Sequence, residues 1–212
     1  MALAPSPAAV PSDLGLEPLR LPSDLRLTPE QFERVCQANP EAVLELAANG
    51  TLIAMTPTGG ETSRRNSRLT MRLLLWADQR GGWMVFDSSG AFRLADGSVL
   101  SPDAALVREE RWNALSVEER RGFVPLCPEL VIELASPSDE GPRGVSTLRR
   151  KMELYQANGS QLGWLLLPHE RAVEIWRAGQ PGKAERLDNA CRVEGGELAE
   201  GLGLDLAELW TV

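Results

Sequence analysis

The sequence predicts a single α/β domain built on a mixed β-sheet flanked by helices. Strand-like and helical stretches alternate along the chain, sharp turn and capping signals separate them, and internal repeats are absent. With 212 residues, 43% of them hydrophobic, the chain can bury a substantial core in one domain.

Met1 to Asp24 is rich in Pro, Ala and Leu without periodicity and reads as a flexible N-terminal arm, so the domain runs from residue 25 to 212. Order is expected from Thr28. There Thr28-Pro29-Glu30-Gln31 combines an N-cap, a proline at the first helical position and a capping-box glutamine, opening a short helix toward Cys36. Between Ala42 and Met55 two apolar stretches flank Asn49-Gly50, a dipeptide that tolerates positive φ, which predicts an N-terminal β-hairpin. A long helix follows over about Thr62 to Arg80, with Leu69, Leu73 and Trp76 on a core face and Arg64, Arg68 and Arg72 on a separate stripe.

Trp83 to Phe86, Ala91 to Leu94 and Ala104 to Val107 read as strands broken by Ser-Ser-Gly and Asp-Gly turns, and a polar helical connection spans Arg111 to Arg121. Leu130 to Ala135 is a strand, and Val145 to Asn158 a helix closed by Gly159. Leu162 to Leu167 and Val173 to Trp176 form a last strand pair around Pro168, and Leu204 to Trp210 reads as a closing helix.

Composition narrows the chemistry. His169 is the sole histidine, which sets aside serine triads and histidine-rich metal centres. Cys36, Cys127 and Cys191 are odd in number and widely spaced, the pattern of buried inert thiols rather than of a disulfide framework or zinc site. Hydrolytic chemistry must therefore rest on carboxylates, a lysine, or both. A net charge of −8 repels a phosphate backbone at long range, so nucleic-acid contact would need local basic patches. No apolar run approaches the ~20 residues of a membrane span, and no basic segment precedes an apolar one at the N-terminus, so a cytoplasmic protein is expected.

Strand alternation in Glu129-Leu130-Val131-Ile132-Glu133-Leu134-Ala135 sends Leu130, Ile132 and Leu134 to one face and Val131, Glu133 and Ala135 to the other. A carboxylate in such company needs a cation, metal or donor if it is buried; otherwise that face meets solvent. Asp103 follows Ser101-Pro102 and opens the apolar strand Ala104 to Val107, where a preceding proline is tolerated. Paired with Glu133, it would supply the hard oxygen ligands that Mg²⁺ prefers. Lys151, one of only two lysines, lies on the helix after the Glu133 strand, one turn before Tyr155. It is either an exposed helical lysine or a group that reaches over the sheet to stabilise charge on a phosphate.

A Pro-Asp strand, an apolar strand carrying Glu and a helical lysine together resemble the skeleton of the PD-(D/E)XK nuclease superfamily. More narrowly, the chain resembles the Uma-type restriction endonuclease family. The matching pieces are the Asn49-Gly50 hairpin, Pro57-Thr58-Gly59-Gly60-Glu61-Thr62, Phe86-Asp87-Ser88-Ser89, Ser101-Pro102-Asp103, Glu133-Leu134-Ala135-Ser136, and Lys151-Met152 through Tyr155 to Asn158-Gly159. They run in family order from about Thr28 to the C-terminus. The resemblance implies a restriction-endonuclease-like fold and a metal-dependent DNA endonuclease. It also implies Mg²⁺ or Mn²⁺ held by Asp103 and Glu133, with a nearby basic residue completing the catalytic set. Either Lys151 is a migrated substitute for that residue or the site is incomplete.

Two departures stand out. The superfamily's lysine belongs two residues after the glutamate, where this chain has Ala135, and Leu167 occupies a position that relatives often fill with aspartate. Ala135 leaves a second reading open, a non-catalytic nucleic-acid-binding or assembly module on a degenerate nuclease fold. Glu61 is a candidate further acidic wall, or only a favourable charge at a helix N-terminus. The Arg64, Arg68 and Arg72 stripe is a candidate set of phosphate contacts, or a solvated face. A homodimer would suit a nuclease with one centre per strand.

Overall fold

A computed structural model describes Pro22 and residues 24–55, 58–139 and 141–211. The expected N-terminal arm lies outside the described residues apart from Pro22 and Asp24, as does Pro57 of the Pro57–Thr62 motif.

Helix α1 (Pro29–Ala38) begins as its capping box dictates: Thr28 accepts from the Gln31 amide while the Gln31 side chain accepts from the Thr28 amide. Strands β1 (Leu44–Leu46) and β2 (Leu52–Ala54) form the expected hairpin, with Leu46 opposite Leu52. Gly50 adopts φ 80° in its turn, and a Cβ there would stand 2.7 Å from the Leu27 carbonyl oxygen, so only glycine lets the turn close on the segment leading into α1. Helix α2 (Gly60–Arg80) buries Leu69, Leu73 and Ala77.

Beyond it lie β3 (Trp83–Asp87), β4 (Phe92–Arg93), β5 (Val99–Leu100) and β6 (Ala104–Arg108), then α3 (Glu109–Ala114) and α4 (Val117–Arg121). Next come β7 (Leu130–Leu134), α5 (Pro142–Ala157), β8 (Leu162–Leu167) and β9 (Ala172–Arg177). The chain closes with β10 (Ala184–Asp188), β11 (Arg192–Glu194), β12 (Gly203–Asp205) and α6 (Ala207–Trp210). The polar connection expected over Arg111 to Arg121 is thus two short helices, because Ser116 caps a second start with Glu119 as its capping-box partner. The closing segment differs from the expected helix: Gly203–Asp205 pairs with β11, and only Ala207–Trp210 turns helical.

The central sheet has the order β10-β9-β8-β7-β6-β3 and is mixed, since β7 and β8 run parallel while its other pairs are antiparallel. A smaller sheet, β2-β1-β5-β4, lies beside it, and β11 pairs with β12. The alternation in β7 divides the core in two. Leu130, Ile132 and Leu134 join α2, the even-numbered residues of β8 and the C-terminal Leu202–Leu209 stretch in one cluster. Val131 joins Met152 and Tyr155 of α5, with Leu165 and Val107, in the other. Glu133, flanked by Leu134 and Ile132 in the strand, is therefore carried to the α5 side and lies 3% exposed, so the alternative of a solvent-facing sheet surface is corrected. Gly163 permits the close approach of α5, since a Cβ there would meet the Met152 methyl at 2.3 Å.

Of the three cysteines only Cys127 is fully buried; Cys36 is partly exposed and Cys191 exposed, which corrects the expectation of three buried thiols. Burial pushes the Cys127 thiol up to about 12, as an inert thiol requires.

Candidate active site

Four elements converge on one group of charges. Glu133 comes from mid-β7, Lys151 from the middle of α5, Asp103 from the residue before β6, and Glu45 from β1 in the smaller sheet. Lys151 Nζ stands 2.9 Å from Glu133 Oε1 and 2.8 Å from Glu45 Oε1, and donates to the Ser101 carbonyl at 2.9 Å. The side chains are 12% exposed for Lys151, 5% for Glu45 and 4% for Glu133. The reading of Lys151 as an exposed helical lysine does not hold.

Asp103 is clamped from two sides. Its Oδ2 accepts from the Leu134 amide at 2.8 Å and its Oδ1 from Asn66 Nδ2 at 2.7 Å. The Leu134 amide follows Glu133 in β7, so the strand that carries one carboxylate also fixes the other. Lys151 acts electrostatically on Asp103 as well as on Glu133, which places all three expected residues within one field.

Glu45 is the member that sequence reasoning missed. The signal was present, because Leu44-Glu45-Leu46 repeats the pattern of Ile132-Glu133-Leu134, a carboxylate between apolar neighbours on a strand. Glu45 Oε1 also accepts from the Ser101 amide at 2.8 Å, so the Ser101-Pro102-Asp103 segment is tied to the hairpin by Glu45 and to α5 by Lys151. Asn66 was missed too; it lies on the same helix as the expected acidic residue Glu61, five residues further on.

The electrostatics follow from burial. Glu133 is pushed up to about 8, first by desolvation and then by the Asp103 and Glu45 carboxylates, against the pull of Lys151. Asp103 is raised by burial against the hydrogen bonds from Leu134 and Asn66. For Lys151 burial acts downward, but Glu133 and Glu45 outweigh it and hold the ammonium above its ordinary value. Tyr155, fully buried beside Glu133, is raised well above the ordinary phenol by desolvation and the neighbouring negative charge.

Glu45 and Glu133 thus flank the Lys151 ammonium with Asp103 in its field, and a divalent cation would favour the ionised forms of Asp103 and Glu133, both of which burial raises. Glu133 Oε1, Asn66 Oδ1 and the Tyr155 hydroxyl are buried without a hydrogen bond of good geometry, so the Glu133 oxygen has a charge partner but unused acceptor capacity. Among the described residues no three Asp, Glu, His or Cys side chains form a complete metal cage. Mg²⁺ needs none, since it keeps several waters and takes one or two carboxylates. Asp103 and Glu133 fit that demand.

The buried Glu133 also predicts a pH dependence. Its folded value of about 8 lies above the ordinary 4.5, so between these pH values the folded state holds more protons and stability falls as pH rises. The raised Lys151 contributes stability that is fully present below its unfolded value, and so adds no slope in this window. In metal-free thermal melts across this range, wild type should lose stability relative to Glu133→Gln by on the order of a few kcal/mol. Parallel pH profiles for the two proteins would contradict the burial argument.

A cleft of about 330 Å³ opens at the end of β7 and β8, lined among others by Glu61, Arg65, Ala135, Ser136 and His169. Ala135 and Ser136 directly follow β7 in the chain, while Glu45, Asp103, Glu133 and Lys151 are not themselves part of the cleft lining. Glu61 stands on its wall, where a carboxylate from the first turn of α2 was expected. The arginine stripe is placed differently. Arg68 and Arg72 reach Glu208 Oε2 of α6 at 2.6 and 3.2 Å, and Arg64 donates to the Thr211 carbonyl at 3.4 Å, so these side chains tie α2 to the C-terminus.

A mixed sheet with helices on both faces and acidic residues gathered at β6 and β7 defines a nuclease-like fold of the restriction-endonuclease type. The chain belongs to the Uma2 family, whose description is "Putative restriction endonuclease", with residues 29–207 matched. It is similar to a solved structure described as "a putative nuclease belonging to DUF820 from Anabaena variabilis ATCC 29413", with 20% identity and a TM-score of 0.68. The match covers 87% of this chain and 97% of the other. No curated protein matches the chain. Among the described residues no helix is long and apolar enough to cross a membrane.

Proposed function

We propose that this protein is a metal-dependent endonuclease that hydrolyses phosphodiester bonds in DNA. One observation carries the reading: Lys151 lies 2.9 Å from Glu133 and within the field of Asp103, although the usual lysine position holds Ala135. A lysine brought from α5 supplies the cation that the strand lacks, which supports catalysis over the alternative of a degenerate binding module.

Asp103 and Glu133 would hold Mg²⁺ or Mn²⁺, which supplies a Lewis acid for a phosphoryl oxygen and a more acidic water when bound. The protein's own groups do the rest. Lys151, kept protonated by Glu133 and Glu45, serves as a fixed positive charge for the developing phosphorane and not as a proton acceptor. Its contacts to Ser101 and Glu45 hold the ammonium in place, so little reorganisation accompanies the reaction. Asn66 and the Leu134 amide orient the Asp103 carboxylate. Action on both strands calls for two protomers, and the exposed Met71, Leu74 and Leu75 of α2 offer an apolar face for pairing. A cytoplasmic location, with access to intracellular DNA, belongs to the same proposal.

The test is conversion of supercoiled plasmid to nicked or linear forms in Mg²⁺ or Mn²⁺, with and without EDTA. Cleavage that EDTA abolishes supports the reading. Cleavage indifferent to chelation would remove the metal from the reading, and no cleavage with either metal while the protein still binds the plasmid would favour the binding module.

A further inference from the structure

The cleft contains a basic residue that neither the carboxylate centre nor the arginine stripe accounts for. Arg65 lies on the inward side of α2, 6% exposed, and lines the cleft wall. Its Nε donates to the Leu209 carbonyl at 2.8 Å, while its nearest carboxylate, Glu61 Oε2, stands 3.6 Å from Nη1, too far for a hydrogen bond. A guanidinium carries five N–H donors and is costly to bury without full pairing. The other acids around the cleft are engaged elsewhere: Asp139 Oδ2 accepts from the Ser136 amide and hydroxyl, and Glu170 pairs with Arg186 at 2.6 Å. Arg171, in the left-handed region at φ 52° on the β8–β9 turn, places a second, exposed cation on the cleft lining.

From this arrangement we infer that the cleft seats a backbone phosphate of the nucleic acid, with Arg65 as its charged contact and Arg171 as a second. The inference rests on the nuclease reading and deepens it, because it assigns substrate contact to the cleft and not to the Arg64, Arg68 and Arg72 stripe. Such a phosphate would lie at the end of β7, whose next residues, Ala135 and Ser136, line the cleft. A guanidinium suits the task, since its planar fork meets two phosphate oxygens at once. Glu61, half-exposed and loosely held, can swing away as the anion arrives.

The experiment is fluorescence anisotropy of a short labelled DNA duplex with Ca²⁺ present, repeated over a range of salt concentrations. For Arg65→Gln the affinity should fall about tenfold and the plot of log K against log salt should lose about one phosphate's worth of slope. Arg65→Lys, which keeps the charge, should restore the slope, Arg171→Gln should make it shallower, and Arg68→Gln should leave it unchanged. A folded Arg65→Gln protein with wild-type slope would overturn the proposal, as would Arg65→Lys binding no better than Arg65→Gln. Should Arg65→Gln fail to fold, a wild-type slope in Arg171→Gln would overturn it instead. Wild-type binding without metal-dependent cleavage would remove hydrolysis and leave this contact standing, whereas a wild type that binds no duplex overturns both.

Discussion

Asp103→Asn is expected to cut the rate of metal-dependent DNA cleavage on the order of 10³-fold while leaving the protein folded. The carboxylate is needed as a charged oxygen ligand, and the isosteric amide has lost the charge. The fold should survive because the surrounding groups can re-pair. The substituted side chain can still accept from the Leu134 amide through its single oxygen, and its nitrogen then faces Asn66. In the wild type Asn66 donates from Nδ2 and leaves Oδ1 buried without a partner, so a flip of that side chain would offer the acceptor the new amide needs. Removal of a desolvated carboxylate also relieves the burial that raises its pKa. Wild-type-like melting with cleavage lost is the predicted pair of results. Cleavage retained within about tenfold would remove Asp103 from the mechanism.

Lys151→Met should produce the largest loss of stability among the site variants, and the loss should depend on pH. Methionine fills much the same volume, so the packing under α5 changes little. The charge balance changes entirely, because Glu45 and Glu133 are left buried with the counter-charge between them gone. Breaking a buried ion pair by removing one partner costs about 3–5 kcal/mol, and that cost should be read by urea denaturation at about pH 9.5, above the value of about 8 to which Glu133 is raised. Near pH 5.5 the penalty should shrink, since Glu133, already raised to about 8, takes up a proton and no longer needs the cation. A small loss that is the same at both pH values would indicate that the ammonium does not compensate these carboxylates.

The features legible in the sequence are local ones. Thr28 and Gln31 cap α1 through bonds three residues apart, Asn49-Gly50 turns the hairpin, and alternation in β7 assigns Glu133 to one face. Each depends on neighbours within a single element, where periodicity and turn chemistry speak directly. What was missed depends on contacts distant in sequence. Glu45 meets Lys151 across 106 positions, Arg65 meets the Leu209 carbonyl across 144, and Asn66 meets Asp103 across 37. No single segment carries that information. Strand β10, Ala-Glu-Arg-Leu-Asp, escaped notice for a different reason: it is an exposed edge with one apolar residue besides its first alanine, so alternation has little to show. The closing helix expected over Leu204 to Trp210 forms only at Ala207–Trp210, because Leu204 belongs to a strand paired with β11, and tertiary pairing overrode the local pattern.

The central claim is that Asp103 and Glu133 form a divalent-cation site supported by Lys151. Calorimetric titration of Mn²⁺ and Mg²⁺ into wild type, Asp103→Asn and Glu133→Gln tests it without any knowledge of the preferred DNA. The account predicts binding in wild type that disappears in both folded variants and weakens below about pH 8, where a proton competes for Glu133. Binding that survives in either variant would contradict it.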